Sequence, residues 1–282
     1  MIKERINDEE QLPPKSPTPV NIATLLGERV HAEPEKPFLF SEADGRVFSY
    51  AEFDGAVYRA ARRLAFAGVS KGDAVSLLMP NSVEYIIAYF ACWKLGAVAG
   101  PVNSLLKADE VAFVISDSEA KALLVHSDFQ PMIEGIRAEL PNLQAVIEFD
   151  DEKVATRDFA EEEAAQGDTF NERPITPDDD AIIIYTSGTT GKPKGCLLTH
   201  RNLIANARQI SEWLGFTQND RLLTIMPLFH MNAVSVTTMS ALYAGGSTVI
   251  SPKFSASRFW DLLAAVSHRK ERGISAHFVN FC

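Results

Sequence analysis

From residue 74 to residue 149, short apolar runs recur at the interval of a strand–helix–strand repeat. AVSLLMP, AVAGPV, KALLVH and AVIEF are the runs. Between them lie segments with helical patterning: one capped by Asn81 and running to Leu95, then KADEVAFVISD, then one near 130–140. Strands this short, joined by crossover helices, pair in parallel, so the expected architecture is α/β with doubly wound sheets. Upstream, FLFSEADGRVFSY places two apolar runs around Asp44-Gly45, a hairpin signal. Ser49 and Glu52 have capping-box spacing. Phe53, Val57, Ala60, Ala61 and Leu64 then recur at helical intervals up to Gly68, which predicts a helix over 50–67.

The organisation follows from composition. Residues 1–20 are polar and proline-studded, too poor in apolar surface to offset the entropy of ordering, and are expected to be a loose arm. Residues 21–150 form a first α/β subdomain. Residues 148–180 hold thirteen acidic side chains against three basic ones, so 151–180 is read as an acidic linker with a solvated face. Residues 181–282 form a partial second α/β subdomain. Tyr85–Val102 is largely apolar but carries Lys94 and Pro101, a buried helix entering a strand. Met231–Pro252 is uncharged but rich in Ser and Thr, with Gly245-Gly246 inside it, and is read as helix, turn and buried strand. No membrane span is expected from either.

A formal charge of -10 disfavours nucleic acid as a partner. Cys92, Cys196 and Cys282 have no paired spacing, so neither a disulfide framework nor a zinc site is expected. MIKERINDEE leads into no apolar segment, which argues against a secretory signal and for a cytoplasmic protein.

The chemistry is concentrated after residue 180. AIIIY, a short β-branched run, feeds directly into TSGTTGKPKG. Parallel sheets bind ligands at the carboxyl ends of their strands, and this loop has what an anion requires. Gly188, Gly191 and Gly195 free the backbone to turn successive N–H groups inward. Thr186, Ser187, Thr189 and Thr190 add hydroxyls without bulk. Lys192 and Lys194 bring positive charge, with Pro193 stiffening the turn between them, a clamp suited to the phosphates of a nucleoside triphosphate. The spacing is neither that of the P-loop nor GxGxxG.

YTSGTTGKPKG resembles the phosphate-loop signature of the adenylate-forming superfamily, which includes acyl-CoA synthetases, aryl-CoA ligases, luciferases and peptide-synthetase adenylation domains. FSYAEFDGAVYRAARRL, KLGAVAGPVN, THRNL and PLFHMNA look like further landmarks, so the resemblance runs from about residue 22 to about 265, and KLGAVAGPVN and PLFHMNA are more similar to the CoA ligases than to the peptidyl branch. The resemblance implies the large N-terminal domain of that fold, and an AMP-forming reaction. In it a carboxylic or fatty acid is activated by ATP to an acyl-adenylate and passed to CoA, with Mg²⁺ on the phosphates. Thr186, Ser187, Gly188, Thr189, Thr190, Gly191, Lys192 and Lys194 match the phosphate loop, Thr186 nearest the metal, and the loop is expected to move and close on ATP.

His230 in MPLFHMN reads from the residues alone as a core histidine beside an apolar helix. The resemblance instead places it at the wall of the acyl pocket, near the reacting carboxylate, with Met231, Asn232 and Val234 lining that pocket or packing inward. His200, at the head of a helix capped by Thr199, is read as structural, and Cys196 as inert. The resemblance also implies parts that this sequence lacks: the aromatic-Gly-x-Thr-Glu and Tyr-x-Thr-Gly-Asp segments and a C-terminal domain with its lysine. The expectation is a truncated acyl-CoA synthetase whose second sheet is incomplete and whose C-terminal domain is absent. The alternative is an inactive truncated paralogue that binds only nucleotide or a protein partner. The expected partner is a small carboxylic acid, with oligomeric state left open.

Overall fold

A computed structural model describes residues 20–150, 174–186, 192–257, 259–260 and 275–277. The loose arm and most of the acidic linker therefore lie outside the described residues. Helix α1 (Ile22–Ala32) starts at Asn21, whose side chain accepts from Thr24 N. Strands β1 (Pro37–Ser41) and β2 (Val47–Ser49) form the expected hairpin, with Gly45 at φ 77° in its turn. Helix α2 (Tyr50–Phe66) carries the reciprocal Ser49–Glu52 capping box. The alternating elements follow: β3 (Ala74–Leu78), α3 (Val83–Leu95), β4 (Val98–Pro101), α4 (Ala108–Asp117), β5 (Ala122–Val125), α5 (Gln130–Ile136) and β6 (Ala145–Glu148).

After the linker come β7 (Asp180–Thr186), β8 (Lys194–Thr199), α6 (His200–Leu214) and β9 (Asp220–Thr224). A π-helix (Ala233–Met239) runs into α7 (Ser240–Ala244), and β10 (Ser247–Ile250) and β11 (Ser275–His277) follow. The stretch read as helix, turn and buried strand is thus π-helix and α7, the Gly245-Gly246 turn, and β10. A Cβ on Gly246 would lie 2.5 Å from Asp220 O, so the turn admits only glycine without a backbone shift.

Among the described residues the strands form a six-stranded sheet, β6-β5-β3-β4-β7-β8, and a five-stranded sheet, β11-β9-β10-β1-β2. Neighbours are parallel except at β7–β8 and β1–β2. Strand pairing crosses the boundary drawn at 151–180 in both directions. The β1–β2 hairpin joins β10, and the β7–β8 pair joins β4. The segments 21–150 and 181–282 are therefore not one sheet each, because periodicity fixes a strand's faces but not the edge on which it pairs.

The main core contains residues of both sheets, among them Leu39, Leu222 and Ile250 of one and Leu77, Ala99 and Ile182 of the other, together with α1, α2, α3, α6 and α7. These helices form a layer between the sheets. Helix α3 is its centre, buried at every position except Lys94, whose ammonium reaches Asp54 at 2.6 Å. Its aromatic residues satisfy their polar tips within this packing: Trp93 Nε1 donates to Ala181 O (2.8 Å) and Tyr89 Oη to Leu228 O (2.8 Å). Helices α4 and α5 cover the other face of the six-stranded sheet, with Val111, Val114, Ile115, Ile133 and Ile136 packed on Leu78, Leu123 and Val125. No helix among the described residues is long and apolar enough to cross a membrane.

Candidate functional site

The carboxyl ends of both sheets meet along one edge of the molecule. There they border a cleft of about 550 Å³, lined by Met79 and Asn81 beyond β3, Leu105 beyond β4, Met226 and Phe229 beyond β9, and Phe254 beyond β10. The volume suits a small ligand, and the walls are mostly apolar. Strand β7 lies parallel beside β4, so Thr186, at its carboxyl end, belongs to the same edge.

Asn81 organises this edge. The sequence reading makes it the cap of α3, but Ser82 fills that role by accepting from Tyr85 N. The Asn81 side chain instead donates to Met226 O at 2.9 Å and to Ser251 O at 3.2 Å, and accepts from Leu228 N at 2.7 Å. One amide thus ties the end of β3 to the ends of β9 and β10. Leu228 is held at its carbonyl as well, by Tyr89. The segment that presents His230 is therefore fixed from α3 and from the turn before it.

His230 is exposed, its N–H bonded to Pro227 O and its ring 4.5 Å from that of Phe229. It is not the core histidine that the residues alone suggest. Asn232 is exposed beside it, and Met231 is half-buried against the main core. Of the two places expected for Val234 it takes the inward one, fully buried in the main core. Hydroxyls of the uncharged π-helix that carries it are tied to neighbouring elements, Thr237 Oγ1 to Thr224 Oγ1 of β9 at 2.6 Å and Ser235 to Asn206 of α6. π-Helical turns recur at functional sites.

Of the loop residues, Ser187, Gly188, Thr189, Thr190 and Gly191 lie outside the described residues. Thr186 is exposed at the end of β7, and Lys194 is exposed directly across from it in β8. The glycine-lysine stretch after Pro193 is therefore strand, where the sequence suggests loop. Gly195 is not among the positive-φ glycines. A Cβ there would fall 2.9 Å from Ile183 Cδ1, so its smallness serves packing across the β7–β8 pair. Lys192 lays its ammonium 5.1 Å from the centroid of the Phe113 ring on α4. Tyr185, just before the loop, donates to Asp117 Oδ2 at 2.7 Å, and burial together with that carboxylate raises its phenol well above the usual range.

The remaining expectations divide clearly. His200 is structural: it is fully buried, its Nδ1 accepts from Ile22 N at 3.4 Å, and burial lowers its pKa to about 4. Cys196 is a free thiol on exposed β8, and Cys92 is a buried one. The described end of the acidic run is not a solvated face throughout: Asp179 pairs with Lys71 at 2.6 Å, while Asp178 holds Arg201 at 2.8 Å on the surface. Among the described residues no cluster of three or more His, Cys, Asp or Glu could hold a metal. The donors present fit a metal carried on phosphates, with the Thr186 hydroxyl adding at most one ligand.

Known proteins are similar to this chain in sequence and in fold. A long-chain-fatty-acid–CoA ligase of Mycobacterium tuberculosis, FadD13, is 36% identical over 245 residues, covering 86% of this chain and 47% of the relative. A crotonobetaine/carnitine–CoA ligase of Salmonella typhi is 34% identical over 79% of this chain and 44% of its own length. The chain thus spans about half the length of these curated relatives. Among solved structures, an anthranilate CoA ligase in complex with anthranoyl-AMP superposes with a TM-score of 0.76 at 28% identity, covering 90% of this chain and 49% of that one. ATP-bound MatB from Rhodopseudomonas palustris superposes with a TM-score of 0.73 at 29% identity, covering 86% and 48%. The family model described as AMP-binding enzyme matches residues 26–270, and the chain belongs to that family.

Proposed function

We propose that this chain is the nucleotide-binding part of an AMP-forming acyl-CoA ligase of the cytoplasm. One observation carries the reading: exposed Thr186 and Lys194 face each other at the end of β7, on the same sheet edge as the apolar cleft of about 550 Å³. Residues 186–194 hold the phosphates of ATP, and the cleft takes the hydrocarbon part of a carboxylic acid. His230, exposed next to cleft-lining Phe229, orients the carboxylate. The carboxylate oxygen attacks the α-phosphorus, pyrophosphate leaves, and the acyl-adenylate then yields its acyl group to the thiol of CoA. Mg²⁺, when bound, neutralises the phosphates. The chain's own part is positioning and charge stabilisation, the two terms that dominate phosphoryl chemistry.

The test is calorimetric titration with Mg-ATP, run beside a pyrophosphate-release assay over fatty and aryl acids. Lys194→Ala and Thr190→Ala should each weaken ATP binding by about 1.5–3 kcal/mol, the worth of a charge-assisted contact. Unchanged affinity in both variants refutes the phosphate cradle.

A further inference from the structure

Helix α4 holds both described shoulders of the loop. On one side Asp117 accepts from Tyr185, and on the other Phe113 carries Lys192 on its ring face. Phe113 and Tyr185 are both half-buried at the rim of the same core, so the ring is fixed by packing and its face is a set platform. Helix α4 connects two parallel strands and therefore runs back from the ligand-binding edge of the sheet. Phe113 is five residues past its first residue, Ala108, about 7.5 Å along the axis at 1.5 Å per residue. A lysine stacked there has its ammonium committed to the flank of the helix, 5.1 Å from the ring centroid.

We infer that Phe113 is a resting seat for the Lys192 ammonium that competes with nucleotide phosphate and so sets ATP affinity from outside the ATP site. The inference rests on residues 186–194 being a phosphate loop. The ammonium is bound either by the quadrupole of the ring or by phosphate oxygens, and the phosphate contact is the stronger of the two. The exchange therefore proceeds on binding, but the measured affinity is lowered by the cost of leaving the ring. At an exposed site that cost corresponds to a factor of about two to five.

The experiment is a double-mutant cycle read by Mg-ATP titration. Phe113→Leu keeps apolar bulk but removes the π face, and it should tighten ATP about two- to fivefold. Phe113→Tyr restores the face and should return the wild-type affinity. Lys192→Ala should weaken binding about tenfold or more, and adding Phe113→Leu to it should change nothing further. An independent readout needs no variant: the ε-methylene protons of Lys192 should show an upfield ring-current shift in the free protein that disappears with Mg-ATP. The inference is overturned if Phe113→Leu leaves affinity unchanged or weakens it, if it tightens ATP equally in the Lys192→Ala background, or if the ring-current shift persists in the complex. If Lys192→Ala alone has no effect, Lys192 does not touch phosphate and the seat has no competitor. If Lys194→Ala and Thr190→Ala are silent as well, the phosphate-loop reading itself fails.

Discussion

The burial of His200 should make the stability of this chain fall steeply in mild acid. Its ring is the first residue of α6 and has no exposed surface. Because Nδ1 accepts from Ile22 N, the neutral ring carries its proton on Nε2, which has no partner. A second proton would have to sit on Nδ1, displacing that bond, at the positive end of a helix dipole and away from water. Burial is the main cause that takes the folded pKa from 6.5 to about 4. Lys71 acts in the same direction and Asp179 opposes both. A depressed folded pKa means that the unfolded chain takes up the proton first. Stability is thus undiminished above pH 6.5 and falls as pH drops from 6.5 to about 4, by about 1.4 kcal/mol per pH unit.

Between pH 7.5 and 4.5 the loss from this residue amounts to about 2.5 kcal/mol, a large share of an ordinary domain's stability. Urea denaturation at several pH values, on wild type and His200→Asn, measures it. Asparagine can still accept from Ile22 N through Oδ1 but does not titrate. The gap between the two stability curves should move by about 2.5 kcal/mol in favour of the variant as pH falls across that window. Curves that stay parallel would show that His200 is solvated or charged in the native state, and would refute this account.

Other substitutions test the edge on which the site is built. Asn81→Ala removes three hydrogen bonds between sheet ends and should cost about 2 kcal/mol of stability. Acid-dependent pyrophosphate release should fall further than ATP affinity does, because the His230 segment is what loosens. Gly246→Ala forces a Cβ against Asp220 O and should lower stability by about 1–3 kcal/mol in a thermal melt. Cys196→Ala, at an exposed free thiol, should leave both ATP affinity and melting temperature where they are.

Much of this fold is legible from short-range signals, because capping and alternation act over a few residues. Ser49 and Glu52 announce α2, Asp44-Gly45 announces the hairpin, and Gly245-Gly246 marks the turn before β10. Features that depend on distant partners are not visible in this way. Asn81 before a helix has the local signature of a cap, yet its three partners are 145 to 170 residues away. Helix α1 opens with a capping Asn21, but a proline-rich arm precedes it and its apolar stripe is short. Strand β8 opens with Lys194 and Gly195, which read as loop, and it is a strand because β7 supplies the ladder. Exposure of His230 is equally a tertiary fact, set by the distant hydrogen bonds that hold the turn before it at Leu228.

The exchange of strands across residues 151–180 also sets an order of events during synthesis. When residue 150 has been joined, the chain holds four strands of one sheet and a β1–β2 hairpin whose other neighbour among the described residues, β10, does not yet exist. At bacterial or eukaryotic elongation rates the hairpin waits roughly 5 to 20 seconds for that strand. During that wait the open edge of β1 and Phe40, whose core partners Leu223, Ile225 and Val249 come later, face whatever is near the ribosome exit, so nascent chains of this protein should be chaperone clients until β10 emerges and docks.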